Sequence, residues 1–348
     1  MKKALWVYGA LTLFIILSCS KKSDSTIVPP PLTYKPPAVS SSFIKGADIS
    51  WVTQMESSGI KFYDKNGAQQ DLFALMKSLG MNSIRLRAWV NPVDGWCNTA
   101  DLLAKALRAK NAGMKIMIDF HYSDSWADPG KQSKPAAWAS LDFPTLITTM
   151  HDYTVSVMNT LKTNGITPDW VQIGNETNDG MLWEDGRASA KMANFAALVE
   201  AGYQAVKSIS STSKVIVHIS NGYDNTLFRW IFDGLKANGA HWDIVGMSLY
   251  PSTANYTTLD AQCLTNINDM ASRYGTPAML VEVGMQASDA SDSRAFLTDI
   301  ITKVNSVANG NGLGVFYWEP EAFNWQGYGL GAFDNSGKPT QALDAFGN

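Results

Sequence analysis

The chain has 348 residues and a formal net charge of −3, and 45% of its residues are hydrophobic against 17% charged. This composition indicates a globular protein with a sizeable core and excludes an intrinsically disordered chain. Because the Lys and Arg residues are scattered, the sequence predicts no nucleic-acid surface, and an uncharged polar substrate fits this balance at least as well as a charged one.

Residues 1–18 predict a secretory signal peptide. Lys2 and Lys3 precede a nearly unbroken apolar run from Ala4 to Leu17. The run is shorter than the roughly 20 residues of a membrane-spanning helix, and it suits a cleavable export signal. Ile16-Leu-Ser-Cys19 is typical of a bacterial lipobox, in which cleavage precedes a cysteine that receives lipid. We therefore expect an exported protein, lipid-anchored through Cys19 at the outer membrane or cell surface. An ordinary signal peptide with an incidental cysteine is the alternative.

Residues 19–42 predict a tether between this anchor and one folded domain, residues 43–348. The segment is polar from Ser20 to Ser25 and carries five prolines between positions 29 and 37. Proline-dense segments form extended, semi-rigid spacers, which would hold the domain clear of a membrane. The two remaining cysteines, Cys97 and Cys263, are far apart in sequence, and their spacing does not decide whether they pair.

From Phe43 onward, predicted strands alternate with predicted helices. Helical spacing from Asp71 to Leu79 stops at Gly80, and that from Leu102 to Lys110 stops before Gly113. Glycine just past a helix supplies the left-handed residue that ends it. The predicted strands cover residues 44–49, 83–87, 115–120, 170–173, 214–219, 244–249, 278–283 and 314–318.

Eight such units predict an α/β fold, a (β/α)8 TIM barrel that forms a single catalytic domain. A doubly wound open sheet is the alternative. It would need a glycine-rich turn after the first strand, whereas Ile49-Ser-Trp-Val52 follows there.

Polar and aromatic side chains gather at the predicted carboxyl ends of these strands, where barrels of this kind build their active sites. The residues are Asp48, Trp51, Arg85, Arg87, Trp89, Asp119, His121, Tyr122, Asn175, Glu176, His218, Asn221, Ser248, Tyr250, Glu282, Trp318 and Glu319. Aromatic rings stack on the flat faces of sugar rings, while sugar hydroxyls need polar partners. The mixture therefore favours a carbohydrate-binding cleft.

Glu176 and Glu282 are the predicted catalytic pair. They end the fourth and seventh predicted strands, so only a barrel brings them together. Glu282 alternates with Val281 and Val283, which predicts that its side chain points opposite to theirs. Glycosidic cleavage needs two carboxyls, one protonated and one ionised. A structural salt bridge to Arg87 is the alternative role for either glutamate.

The densest polar cluster is Asp119-Phe-His-Tyr-Ser-Asp-Ser-Trp-Ala-Asp-Pro-Gly130. A metal site at a barrel mouth usually needs a His-x-His pair or several histidines. Of the four histidines, only His121 and His218 stand at predicted strand ends. We therefore expect neither a metal nor another cofactor.

These motifs resemble the endo-β-1,4-galactanases of glycoside hydrolase family 53 over nearly all of residues 43–348. The segments that carry the resemblance are Gly46-Ala-Asp-Ile-Ser-Trp51, Ile84-Arg-Leu-Arg-Ala-Trp-Val-Asn-Pro92, Asp119 to Gly130, Gln172-Ile-Gly-Asn-Glu-Thr-Asn178 and Glu282. The resemblance implies a retaining, endo-acting hydrolase whose partners are β-1,4-galactan, a pectin side chain of type I arabinogalactan, and galactooligosaccharides. We expect it to act as a monomer.

The resemblance also implies roles for individual residues. Glu176 would be the acid/base and Glu282 the nucleophile. Asn175 would hold the sugar 2-hydroxyl, and Arg87 and Tyr250 would orient or polarise the nucleophile. Trp318 would form the floor of the central subsite. The remaining predicted substrate contacts are Asp48, Trp89, His121, Asp124, Trp126, Asp128 and His218.

One departure and two alternatives accompany the resemblance. Some bacterial members tie long loops after strands seven and eight together with calcium, whereas residues 284–292 and 320–334 are short here. We therefore expect no calcium site of that kind. A mannanase or xylanase with the same two glutamates is one alternative, and a non-catalytic glycan-binding lipoprotein is the other.

Overall fold

The computed structural model of the protein describes residues 42–347. The predicted signal peptide, Cys19 and the tether up to residue 41 lie outside the described residues. Within residues 42–347, no helix combines the length and the apolar character that crossing a membrane requires. Cys97 and Cys263 are both buried free thiols, so they do not form a disulfide.

Eight parallel strands close into a barrel, which confirms the predicted TIM-barrel fold. They are β1 (Ile44–Asp48), β2 (Ser83–Ala88), β3 (Lys115–Phe120), β4 (Trp170–Ile173), β5 (Lys214–Ile219), β6 (Ile244–Leu249), β7 (Ala278–Val283) and β8 (Gly312–Trp318). Each strand pairs with its neighbours in the chain, and β8 closes the barrel against β1. The predicted strand bounds are therefore correct to within two residues.

Helices cover the outside of the barrel. They are α1 (Val52–Ser57), α2 (Leu72–Ser78), α3 (Thr99–Asn111), α4 (Phe143–Thr163), α5 (Ala188–Ile209), α6 (Asn225–Ala237), α7 (Tyr256–Tyr274) and α8 (Ala290–Asn305). From α2 onward, one helix follows each strand from β1 to β7. After β8, the 3-10 segment Gln341–Gly347 packs against α8 in place of an eighth barrel helix. The helix α1 and a small antiparallel ribbon, Phe62–Tyr63 with Gln69–Gln70, are inserted between β1 and α2.

The barrel interior is filled by its own apolar cluster, separate from the larger core between strands and helices. This cluster contains Ile44, Met117, Trp170, Ile216, Ile244, Met279, Val281 and Phe316. Gly46 makes room for Phe316, because a Cβ at Gly46 would lie 2.2 Å from the Phe316 ring. Because this apolar cluster fills the interior, polar side chains converge at the carboxyl end of the barrel.

The strand β7 carries one residue more than either neighbour near its carboxyl end. Met247 on β6 pairs with Leu280 on β7, and the next residue, Ser248, pairs with Glu282, so Val281 has no partner of its own on β6. Val281 packs inside the barrel, and Glu282 follows it into the barrel mouth. The prediction that Glu282 points opposite to Val281 is therefore wrong. The reason is a β-bulge, which redirects the side chains that follow it.

Candidate active site

A cavity of about 240 Å³ opens at the carboxyl end of the barrel. Both predicted catalytic glutamates line it. The lining residues are His121, Trp126, Ala127, Asp128, Asn175, Glu176, Tyr250, Glu282, Trp318, Tyr328 and Leu330. They come from the ends of β3, β4, β6, β7 and β8 and from the loops that follow, as expected for this fold.

The two glutamates face each other across this cavity. One carboxylate oxygen of Glu176 and one of Glu282 lie within 4.8 Å of each other. Glu176 has a left-handed backbone with φ 45°, two residues after Gly174 with φ 82°. A non-glycine residue in this region costs free energy and persists where surrounding contacts hold it. The end of β4 is therefore a constrained turn that presents Glu176.

Glu282 is bound by a cation and a phenol. Its Oε1 lies 2.8 Å from Nη2 of Arg85, and its Oε2 accepts a 2.8 Å hydrogen bond from the Tyr250 hydroxyl. Burial and the nearby Glu176 and Asp119 carboxyls raise the pKa of Glu282, whereas the Arg85 cation and the Tyr250 hydrogen bond oppose that rise.

Arg85 joins the ends of four strands. Its Nη1 lies 2.7 Å from Asp48, and its Nη2 lies 2.9 Å from Asp119. The same Nη2 donates to the Asn175 side-chain oxygen at 2.9 Å. Arg85 is fully buried, and removing its charge from water costs free energy. These contacts and the contact with Glu282 offset that cost. Arg85 was recognised only as a strand-end residue in the sequence, without a role.

Arg87 does not line the cavity, and the predicted contact between Arg87 and Glu282 is wrong, because Arg87 pairs with Glu319 instead. Its Nη1 donates to Glu319 at 3.1 Å, and its side chain is 1% exposed. The guanidinium carbon lies 4.1 to 5.7 Å from the centroids of three tryptophan rings, those of Trp126, Trp89 and Trp51. These distances are typical of cation–π contacts, so the Arg87 guanidinium packs against all three rings.

Four aromatic side chains, which we call the aromatic wall, stand at one side of the site: Trp51, Trp126, Trp318 and Tyr328. Their rings meet edge to face with centroids 4.8 to 5.8 Å apart. Trp126, Trp318 and Tyr328 line the cavity, whereas Trp51 is buried behind them. Sequence reasoning missed Tyr328, because it considered residues 320–334 only as a short loop after the last strand. The available signal was an aromatic residue in a glycine-rich loop after the last strand.

Glu176 is bound by a hydroxyl instead of a cation. Ser248 Oγ donates to Glu176 Oε1 at 2.8 Å, and His218 Nε2 lies 2.6 Å from the same Oγ. Burial raises the pKa of Glu176, although the Ser248 hydrogen bond and Arg85 oppose the rise. His218 is fully buried behind Ser248, so the predicted contact of His218 with substrate does not fit its position. Ser248 was another strand-end residue to which sequence reasoning gave no role.

Three further predicted residues line the cavity. His121 Nε2 lies 3.0 Å from Asp119, and burial lowers the pKa of His121, so its ring is neutral. Asn175 donates its amide to the Ala127 carbonyl at 2.9 Å. Asp128 is exposed and accepts a hydrogen bond from the Gly130 N–H.

The structure places three other predicted substrate contacts outside the cavity lining. Asp48 is fully buried against Arg85. Trp89 is buried and donates its ring N–H to His121 Nδ1 at 3.3 Å. Asp124 accepts the N–H groups of residues 91 and 136, which ties two loops together. These side chains shape the site through their neighbours.

Ligand atoms of Glu176, His218 and Glu282 all lie within 4.8 Å of one another, a spacing that a metal could also use. Both ring nitrogens of His218 already have protein hydrogen-bond partners, because Nε2 contacts Ser248 and Nδ1 faces Gln172. A metal ligand needs a free nitrogen lone pair. The absence of a metal remains a prediction.

The chain is similar to known glycoside hydrolases along most of its length. The family model for glycosyl hydrolase family 53 matches residues 44–346. An uncharacterized protein of Niallia circulans is 39% identical over 310 residues, or 80% of this chain and 84% of that protein. A probable arabinogalactan endo-β-1,4-galactanase A of Neosartorya fischeri is 35% identical over 313 residues, or 84% of this chain and 87% of that protein. A solved structure from a pair of fungal β-1,4-galactanases has a TM-score of 0.81 and 31% identity, covering 89% of this chain and 99% of its own.

Proposed function

Because this chain belongs to glycosyl hydrolase family 53, and is therefore a glycoside hydrolase, we propose that it cuts β-1,4-galactosidic bonds within galactan chains by double displacement. The observation that carries the proposal is the pair Glu176 and Glu282 beside an aromatic wall. The name of the Neosartorya fischeri relative, a probable arabinogalactan endo-β-1,4-galactanase, supports the choice of sugar.

The spacing of the two carboxyls supports retention of anomeric configuration. Retaining enzymes hold the carboxyls about 5 to 5.5 Å apart, whereas inverting enzymes need about 6.5 to 9.5 Å to admit a water between them. The approach of Glu176 to within 4.8 Å of Glu282 fits the shorter range. It leaves little room for an attacking water between the sugar and Glu282.

In this mechanism, a Glu282 oxygen attacks the anomeric carbon while the bond to the leaving sugar breaks. Glu176 gives its proton to the departing oxygen. A water then attacks the glycosyl-enzyme, Glu176 takes the proton of that water, and Glu282 leaves as a carboxylate. The second step returns both glutamates to their starting protonation states.

The neighbours of the two glutamates support this assignment of roles. Arg85 places a full positive charge beside Glu282, and Tyr250 donates to it as well, so the ionised form is stabilised there. Within residues 42–347, the neutral Ser248 hydroxyl is the only side chain that hydrogen-bonds the Glu176 carboxyl. Burial raises the pKa of both carboxyls, and because Arg85 forms its ion pair with Glu282 and not with Glu176, we place the proton of the pair on Glu176.

The remaining lining suits a neutral polysaccharide. Trp126, Trp318 and Tyr328 offer apolar ring surface, and we propose Trp318 as the floor of the central subsite. Asn175 lies beside both glutamates, and we propose that it holds the sugar 2-hydroxyl. We further propose that the natural substrate is the galactan side chain of type I arabinogalactan in pectin.

The test is incubation of the purified protein with linear β-1,4-galactan, β-mannan and β-xylan, with products resolved by length and anomeric form over time. A ladder of galactooligosaccharides from galactan alone, first formed as the β-anomer, is expected. Cleavage of mannan or xylan instead would overturn the substrate assignment. First products in the α-form would overturn retention.

We also propose that the protein is exported and held at a bacterial membrane by lipid on Cys19, and that it works as a monomer. The proposal of an anchor rests on the apolar run before Cys19 and on the proline-dense tether after it. Size-exclusion chromatography with light scattering of the soluble domain tests the monomer, because a dimer would double the mass.

A further inference from the structure

We infer that Ser248, held in place by His218, is a positioning residue that orients the Glu176 carboxyl for proton transfer. The inference rests on the proposed acid/base role of Glu176 and adds two residues to it. Neither His218 nor Ser248 lines the cavity, so both would act through Glu176 and not on the sugar.

The contacts form a chain across three strands. Glu176 follows β4, Ser248 lies on β6, and His218 lies on β5 between them. Ser248 Oγ is 2.8 Å from Glu176 Oε1 and 2.6 Å from His218 Nε2. Ser248 is 1% exposed and His218 is fully buried, so water is poorly placed to substitute for either contact.

His218 also holds the backbone of Glu176. The Glu176 N–H donates to His218 Nδ1 at 3.3 Å, and the following Thr177 N–H donates to the His218 carbonyl at 2.8 Å. Since Glu176 has a left-handed backbone, such contacts are needed to maintain its conformation. One imidazole therefore contacts the acid/base residue through its main chain and, by way of Ser248, through its side chain.

The direction of these hydrogen bonds selects one oxygen of Glu176. Two N–H donors, from Glu176 and Gln172, face His218 Nδ1 and outnumber the one acceptor there, Asn175. This assigns the ring proton to Nε2, which donates to Ser248. The Ser248 hydroxyl then donates to Oε1, and no side chain among residues 42–347 hydrogen-bonds Oε2. The transferable proton accordingly lies on Oε2.

Other titratable groups face Glu176, but only Ser248 hydrogen-bonds its side chain within the described part of the chain. The others are Arg85 on β2, Asp119 on β3, Asp128 after β3, His218 on β5, Tyr250 after β6 and Glu282 on β7. These groups set the local field, whereas Ser248 sets the geometry. Its hydrogen bond also lowers the pKa of Glu176, so loss of the hydroxyl should move that pKa upward.

The matched variants Ser248→Val and Ser248→Thr test the inference, because the two side chains have the same shape and differ only in the hydroxyl. In Ser248→Val, the basic limb of the kcat/KM profile should move to a pH about 0.5 to 1 higher, the effect of one lost hydrogen bond. Turnover of galactan should fall about 10-fold, with little change for an aryl galactobioside that has a good leaving group. Ser248→Thr should keep the pH profile of the parent protein.

Identical pH profiles and identical leaving-group dependence for the Val and Thr variants would overturn the inference. If Ser248→Val does not fold, His218→Asn provides the second test. Its amide oxygen can still accept the Glu176 N–H but cannot reach Ser248, so the basic limb should again move to higher pH. An unmoved limb in this variant would also overturn the inference. Failure of the underlying proposal would look different, because Glu176→Ala would then lose galactan and aryl substrate equally.

Discussion

At the scale of single residues, two carboxyls of the same chemistry acquire different roles from their neighbours. Glu282 has the Arg85 cation and the Tyr250 hydroxyl within 2.8 Å. Glu176 has one serine hydroxyl at the same distance. The Coulomb attraction of a buried cation stabilises a carboxylate far more than a neutral donor does. These neighbours support our proposal that Glu282 carries the charge and Glu176 the proton.

Replacement of the nucleophile should abolish hydrolysis and spare binding. In Glu282→Ala, we expect turnover of galactan to fall at least about 1000-fold, because no group remains to form the glycosyl-enzyme. The aromatic wall is untouched, so galactan should still retard the protein in an affinity gel. Undiminished turnover would remove Glu282 as nucleophile.

Replacement of the acid should discriminate between leaving groups. In Glu176→Ala, we expect turnover of galactan to fall by about 100- to 10,000-fold, because a sugar alkoxide cannot leave without a proton. An aryl galactobioside with a good leaving group should lose much less in the first step. Added azide should restore turnover on that substrate by attacking the accumulated glycosyl-enzyme. Equal loss on both substrates would contradict the acid role.

At the scale of elements, the active end of the barrel is held by one arginine and one bulge. Arg85 on β2 contacts carboxylates from β1, β3 and β7. The extra residue in β7 places Glu282 where Arg85 reaches it. The planar guanidinium has several donors in a fixed fork, which a lysine ammonium does not have.

The substitution Arg85→Lys should therefore destabilise the fold while conserving charge. A lysine cannot reach all three carboxylates, and each buried carboxylate that loses its partner is costly. We expect a loss of about 3 to 5 kcal/mol in the free energy of unfolding, measured by urea denaturation. Lys65→Ala, which breaks the exposed ion pair with Asp344, is the control and should cost no more than about 1 kcal/mol. Equal losses in both variants would contradict the role of Arg85.

A carboxyl pair between α7 and α8, formed by the buried Asp260 and the partly exposed Asp299, should make stability depend on pH. Burial raises the pKa of Asp260 to about 9, and the neighbouring Asp299 adds to the effect. No N–H or O–H donor within residues 42–347 reaches either Asp260 oxygen, so the proton is needed. The folded state binds this proton more tightly than the unfolded state. The contribution of Asp260 to stability is thus complete below about pH 4 and declines toward pH 9.

The substitution Asp260→Asn should flatten this dependence, because an amide donates to Asp299 without a titrating proton. We expect a higher melting temperature than that of the parent protein at pH 8 and a smaller difference at pH 4. Asp292→Asn, an exposed position on α8, is the matched control and should follow the parent curve. If the melting temperatures of Asp260→Asn and the parent protein change with pH in parallel, the proton assigned to Asp260 is contradicted.

At the scale of the whole molecule, the barrel has an apolar interior and one cavity-bearing end, the carboxyl end of its strands. The inner apolar cluster fills the interior below the polar ends of the strands. The helices around it bury their apolar faces against the sheet, in the larger core. These apolar surfaces are buried within the protein. The partly exposed rings at the barrel mouth, such as Trp126 and Trp318, remain available for a ligand.

The proposed anchor makes a prediction about the location of the intact protein. Expressed in a bacterial host with its own leader, it should sediment with membranes, be released by detergent and carry lipid mass on Cys19. Cys19→Ala should instead be soluble, and Ser25→Ala is the control that should remain in the membrane fraction. Recovery of the Cys19→Ala variant in the membrane fraction would contradict the lipid anchor.

Local signals explain how much of this could be predicted. Strand bounds and helix ends follow from apolar runs and from glycines such as Gly80 and Gly113, both of which have positive φ. The predicted pair Glu176 and Glu282 follows from the rule that barrels place their chemistry at strand ends. Tyr328 and Ser248 were missed because a loop tyrosine and a strand serine are ordinary residues until their partners are known.

The sequence by itself determined the number of strands, the order of the elements and the placing of Glu176 and Glu282 at strand ends, because each of these depends on neighbours in the chain. Only the tertiary structure decided which arginine reaches Glu282. Arg85 and Arg87 lie two residues apart on β2, so both face the same side of the strand and the pattern cannot separate them. Depth in the barrel separates them, since Arg85 meets the carboxylates and Arg87 meets the tryptophans. Which of the two arginines Glu282 meets depends on the position of Glu282 itself, and the bulge in β7 that sets this position is recorded by no local signal in the sequence.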